Sequence, residues 1–150
     1  MTILEFNEIL DFAVEREKEA VQYYRDLQKE THFKGQLDFL KELESMELGH
    51  IIVIENLRNK QITELEIKHV PNLKISEYLT ADPEKLDLTY PNLLIKAMKR
   101  EELSVKLYTD MSERFPDSSL QQLFQKLASE EAGHKHKFEV LYDEWISQGN

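Results

Sequence analysis

Two Glu-x-x-His segments carry the side chains of this chain best suited to chemistry: Glu47 to His50 and Glu131 to His134. Each has one more glutamate thirty residues upstream, Glu17 and Glu101. A shift of 84 residues superimposes the two sets, with no gap across 10–57 and 94–141. Around them Leu10, Ala13, Arg16, Val21, Tyr24 and Asp26 fall on Leu94, Ala97, Arg100, Val105, Tyr108 and Asp110. Leu43, Ser45, Gly49, Glu55 and Leu57 fall on Leu127, Ser129, Gly133, Glu139 and Leu141. The three-residue spacing puts Glu and His one turn apart on a single helix face. Two divalent cations would balance the four carboxylates, and the two imidazoles would complete a hard-to-borderline donor set. A third Glu-x-x-His, Glu66 to His69, precedes Val70-Pro71 and has no repeat partner, so it reads as surface.

The elements that must position these residues are helices. Apolar residues recur at alternating spacings of four and three, the period of an inward helix stripe. The stripes run Phe6, Leu10, Ala13, Glu17, Ala20, Tyr24, Leu27, then Leu40, Leu43, Glu47, His50, Ile54, Leu57. The third is Tyr90, Leu94, Ala97, Glu101, Ser104, Tyr108, Met111, and the fourth Leu120, Phe124, Leu127, Glu131, His134, Phe138, Leu141, Trp145. All six acidic and imidazole residues occupy places where a core hydrophobe would otherwise stand. Thr2 with Glu5 has the form of a capping box, and Thr89 with Pro91 suits a helix start. Gly35 and Pro116-Asp117 mark the two short breaks. Helices are expected near 3–30, 36–58, 90–114 and 118–147. Residues 59–89, with breakers Pro71, Asp82 and Pro83, form a long connection with one short helix at Ile75 to Leu79.

Two antiparallel hairpins joined by one long crossover make an all-α, ferritin-like antiparallel four-helix bundle. Its register agrees with the motif. Glu17 and Glu47 lie 15 residues either side of His32, and Glu101 and Glu131 stand in the same relation to Pro116. Equal distance from a turn means equal height, about 22 Å along the axis at 1.5 Å per residue. All six side chains can therefore meet in one layer. Four buried carboxylates without compensation would each cost several kcal/mol, against a total stability of roughly 5–15 kcal/mol.

Composition narrows the alternatives. The 150 residues suit one ordinary domain. The net charge of −10 argues against a nucleic-acid partner, which needs clustered Lys and Arg. No cysteine is present, which excludes disulfides, thiolate zinc sites and cysteine-held iron–sulfur clusters. The opening residues are acidic where a secretory leader is basic, and the apolar run at Ile51 to Ile54 is too short to span a bilayer. A cytoplasmic location with no membrane partner is expected.

These residues carry a family resemblance over nearly the whole chain. Ala-Val-Glu-Arg-Glu-Lys-Glu-Ala-Val-Gln-Tyr-Tyr at 13–24 and Ala-Met-Lys-Arg-Glu-Glu at 97–102 resemble the first and third helices of the rubrerythrin-like branch of the ferritin-like superfamily. Phe39 to His50 and Phe124 to His134 resemble its Glu-x-x-His helices. The resemblance implies Glu17 and Glu101 as terminal ligands, Glu47 and Glu131 as bridging ligands, and one nitrogen per metal from His50 and His134. It further implies two metal ions, usually iron with manganese as the other choice, and hydrogen peroxide or dioxygen as oxidant. Two departures stand out. The cysteine-ligated rubredoxin domain of rubrerythrins is missing, so a separate electron-donor protein or small molecule is expected. Ser104, with Ala20 as its repeat mate, replaces an extra carboxylate that the family associates with peroxide chemistry.

The expected activity is thus a di-iron oxidoreductase reducing peroxide or dioxygen. A ferroxidase or iron-handling protein is the alternative, and a metal-stabilised helical interaction module the third. Tyr24 and Tyr108 lie two turns past the terminal glutamates, where they would serve as core aromatics or hydrogen-bond the ligands. Glu44, Glu130, Asp26 and Asp110 read as surface, and His136 points away from His134. Phe138, Tyr142 and Trp145 fit the core or a homodimer contact.

Overall fold

In the computed structural model, which describes residues 1–59, 67–79, 89–116 and 118–148, the capping box of Thr2 and Glu5 is closed. The Thr2 hydroxyl accepts the Glu5 amide at 3.0 Å, and the Glu5 carboxylate accepts the Thr2 amide at 3.3 Å. Four long helices follow: α1 (Ile3–Glu30), α2 (Lys34–Asn59), α3 (Tyr90–Arg114) and α4 (Ser119–Ser147). Ser118 caps α4 by accepting the Gln121 amide at 3.2 Å. Pro91 occupies the first turn of α3, after Thr89. No strand occurs among the described residues. The architecture is the expected ferritin-like four-helix bundle.

The boundaries differ in detail. Gly35 lies in the first turn of α2, and the break falls at 31–33. Thr31 ends α1 with an extended backbone (φ −88°, ψ 141°), so the turn needs no left-handed glycine. The short helix of the crossover is a 3₁₀ turn, Ile75–Tyr78. Glu66, Asp82, Pro83 and Asp117 lie outside the described residues; His69 is exposed.

The helix stripes bury as their spacing requires. The buried residues of α2 are Leu40, Leu43, Glu47, His50, Ile54 and Leu57, the expected stripe. On α4 the stripe is buried from Phe124 to Leu141, with Leu120 and Trp145 half-buried at its ends. The core divides in two. One cluster gathers the start of α1, the ends of α2 and α3 and the start of α4 around Phe6, Leu10, Met111 and Phe124. The other gathers the opposite ends around Tyr24, Leu27, Leu40, Leu94 and Phe138, with Tyr142 and Trp145 packed against it. Helix α1 thus lies antiparallel to both α2 and α3. The crossover must return from the first cluster's end of the bundle to the second's.

Its described part is anchored at the first end. Ile67, Leu73 and Tyr78 are buried in the first cluster. The Met1 amino group donates to the Val70 carbonyl at 2.5 Å, and the Arg114 guanidinium to the carbonyls of Pro71 and Asn72 at 3.1 and 3.3 Å. The Tyr78 hydroxyl donates to the Asp110 carboxylate, so Asp110 is a partly buried anchor, where a free surface position was expected. No helix among the described residues is long and apolar enough to cross a membrane. Tyr78→Phe and Asp110→Ala should each lower stability by about 1 kcal/mol in urea denaturation, and the double variant should cost little more than either alone. Full additivity would show that the two side chains do not interact.

Candidate metal centre

Between the two apolar clusters lies one polar layer. Glu17, Glu47, His50, Glu101, Glu131 and His134 are all at most 4% exposed. One comes from α1, two from α2, one from α3 and two from α4, so every helix reaches the layer. The sequence-expected residues all meet there. They form two overlapping groups, Glu17, Glu47, His50, Glu131 and Glu47, Glu101, Glu131, His134, each with ligand atoms within 4.8 Å of one another. Glu47 and Glu131 belong to both.

The layer repeats the duplication of the sequence in its distances. His50 Nδ1 lies 2.7 Å from Glu131, and His134 Nδ1 lies 2.7 Å from Glu47. His50 is 3.6 Å from Glu17 Oε2 and His134 is 3.8 Å from Glu101 Oε2. Within each Glu-x-x-His the separations are 3.8 and 3.9 Å. The imidazoles face one another in near-parallel planes, 16° apart, with centroids separated by 6.1 Å. An approximate two-fold relation exchanges the hairpins.

Tyr24 and Tyr108 obey the same relation and do more than fill the core. The Tyr108 hydroxyl donates to Glu17 Oε1 at 2.6 Å, and the Tyr24 hydroxyl donates to Glu101 Oε1. Each bond crosses from one hairpin to the other. Each also occupies one carboxylate oxygen and leaves the second, Oε2 of Glu17 and of Glu101, buried without a hydrogen bond. Both oxygens of Glu47 and Glu131 and Nδ1 of both histidines are in the same condition. Buried polar atoms are normally satisfied. Here eight unsatisfied atoms converge on the layer, all of them lone-pair donors. Atoms bonded to one cation at about 2.1 Å sit roughly 3–4 Å apart, close to the separations found. The donor set fits divalent metal ions.

Glu130 was expected on the surface and is not there. Its carboxylate is half-buried and lies 2.5 Å from His50 Nε2. Its repeat mate is Met46, so the repeat gave no signal for it. Glu44 is also half-buried, taking Gln28 Nε2 at 3.0 Å and Arg25 Nε at 3.4 Å, which ties α2 to α1. Asp26 is partly buried and accepts Gln22 Nε2 at 2.9 Å on its own helix, away from the layer. His136 is exposed beside Glu139, as expected.

Electrostatics follow from burial. Desolvation, then the neighbouring carboxylates, hold Glu17, Glu47 and Glu131 well above the usual carboxylate range. Desolvation pushes Glu101 up to about 8, with the Glu17 charge adding to it. For His50, desolvation is outweighed by hydrogen bonds and charge from Glu131 and Glu17, and it is pushed up to about 12. Desolvation and the His50 charge hold His134 down to about 4. The protein groups alone therefore keep protons in the layer at neutral pH, which cations would displace.

A bundle of two helical hairpins with a buried Glu/His layer that can hold metal ions is a ferritin-like carboxylate-cluster protein. The Rubrerythrin family model matches residues 8–142, and the chain belongs to that family. A solved structure of a hypothetical protein from Pyrococcus furiosus shares the fold with a TM-score of 0.69 at 18% identity, over 99% of this chain and 98% of that one. A comparison with curated proteins returned no match.

The raised carboxyl groups set a pH dependence for the chelator-treated chain. Folded Glu101 keeps a proton up to about pH 8 that the unfolded chain releases near 4.5, so stability falls as pH rises through that window. His50 acts in the same sense above 6.5, whereas His134 opposes it between about 4 and 6.5. The melting temperature should therefore fall most clearly between about pH 6.5 and 8. Glu101→Gln should flatten the fall, and a profile unchanged by that substitution would refute the assignment.

Proposed function

We propose that the layer binds two metal ions, iron in preference to manganese, and that the protein is an oxidoreductase reducing hydrogen peroxide or dioxygen with electrons from a separate donor. The observation that carries this reading is the convergence of eight unsatisfied, buried lone-pair atoms in two overlapping donor groups. Glu17 with His50 would serve one ion and Glu101 with His134 the other, with Glu47 and Glu131 shared between them. When bound, such a pair would supply the redox chemistry for a two-electron reduction of an O–O bond.

The chain's own residues prepare that role. Tyr108 and Tyr24 fix the rotation of the terminal carboxylates, leaving one oxygen of each for an ion. The apolar clusters above and below exclude water and stiffen the ligands on long helices. Burial and the Glu17 charge raise the Tyr108 phenol well above its ordinary value, so that hydroxyl stays protonated as a hydrogen-bond donor. Ser104, buried one turn past Glu101, carries a hydroxyl in place of a further carboxylate, and among the described residues the two donor groups contain four glutamates. A carboxylate-rich set is poor for purely structural zinc, which favours Cys and His; this disfavours the interaction-module reading.

Anaerobic titration with Fe(II) should saturate at two ions per chain, and Glu47→Ala with Glu131→Ala should abolish binding. Rapid oxidation on mixing with hydrogen peroxide, followed by stable rereduction, is the expected outcome. Fast turnover with dioxygen and continued uptake beyond two ions would indicate ferroxidase activity, and redox silence a structural metal. Retention of two ions by the double variant would refute the ligand assignment.

A further inference from the structure

The two-fold relation that governs the layer fails at one contact. His50 turns Nδ1 to the layer and Nε2 to the Glu130 carboxylate, 2.5 Å away. His134 also turns Nδ1 to the layer, yet its Nε2 is buried with no hydrogen-bond partner. The position equivalent to Glu130 is Met46, half-buried and without an acceptor oxygen. Among the described residues, the Tyr24 bond is matched by that of Tyr108, and each Nδ1–carboxylate distance within the layer has a mate within 0.2 Å of it. Among the described residues, Glu130 is thus a carboxylate that holds the far nitrogen of one imidazole and has no mate on the other.

An acceptor on the far ring nitrogen has three effects on a ligating imidazole. It fixes the tautomer with the Nε2 proton outward and the Nδ1 lone pair inward, holds the ring plane, and raises the basicity of the ligating nitrogen. Glu130 places its carboxylate in direct contact with the far nitrogen of His50, whereas that of His134 has no such partner. We propose that Glu130 is a positioning residue that makes the two ion positions unequal, so that a divalent cation loads first, and is held more tightly, at the Glu17–His50 position. The Glu101–His134 position is the weaker and more exchangeable one. The inference rests on the two-ion reading above. It specifies the order of loading, and which half of the centre empties first when metal is scarce.

Single-position variants test it with Co(II), a redox-inert probe followed by visible absorption and chelator competition. His134→Ala leaves the His50 position, and His50→Ala leaves the His134 position. Glu130→Gln should weaken Co(II) binding about 10- to 100-fold in the His134→Ala chain, and by less than about 2-fold in the His50→Ala chain. Met46→Glu should strengthen binding in the His50→Ala chain, a gain that misfolding cannot produce. Equal losses from Glu130→Gln in both backgrounds, or none in either, would overturn the inequality while leaving a two-ion centre intact. Failure of the wild-type chain to bind Co(II) would overturn the centre itself.

Discussion

Mutual repulsion among four carboxylates at the middle of the bundle is the constraint around which the rest of this structure is arranged. Glu17, Glu47, Glu101 and Glu131 have left water almost completely, and each raises the proton affinity of others in the layer. An interior of low polarisability magnifies both the repulsion and the attraction to any cation placed among them. Neutralisation by protons is one solution and by metal ions another, and the two compete for the same lone pairs. The layer is therefore a site whose occupancy and whose contribution to folding are inseparable.

The surrounding architecture answers that constraint symmetrically. The crossed tyrosines place one hydroxyl of each hairpin on a carboxylate of the other, so Glu17 and Glu101 are each oriented by the opposite half. Neither hairpin can shift along its axis without breaking both bonds. The apolar clusters at either end supply the burial that the layer lacks, and they clamp it from both sides. Tyr24 packs on Phe138 with the rings tilted by 31° and centroids 5.2 Å apart, and Tyr108 stacks on Phe124 at 6.4 Å, linking the hydrogen-bonded phenols directly to those clusters.

Most of this organisation was legible in the sequence because two regularities coincide there. Helical periodicity assigned the inward stripe of α2 residue for residue, and the 84-residue repeat identified which polar residues on the stripes matter. Equal distance from the turns then placed all six in one layer. What escaped was whatever the repeat does not duplicate. Glu130 and Glu44 are each unmatched by a glutamate, and reach their partners through long flexible side chains whose direction no periodicity encodes. Asp110 is matched by Asp26, but its partner Tyr78 belongs to the crossover, which occurs once. The tyrosines were placed correctly on the stripe, yet core packing and ligand hydrogen bonding demand the same position, so spacing could not separate them.

Duplication explains why the site is built from matched halves, and it limits what symmetry can accomplish. Two equivalent ion positions would have equal affinities, and a redox pair made of them would have no preferred order of filling. Breaking the relation in the ligands would change donor number or charge at the ions, at a cost in the fit of the layer. Breaking it one bond further out, at the far nitrogen of one imidazole, leaves all six donors in place and alters only their basicity and orientation. The exchange of methionine for glutamate between positions 46 and 130 falls at that distance, at two half-buried positions outside the fully buried layer.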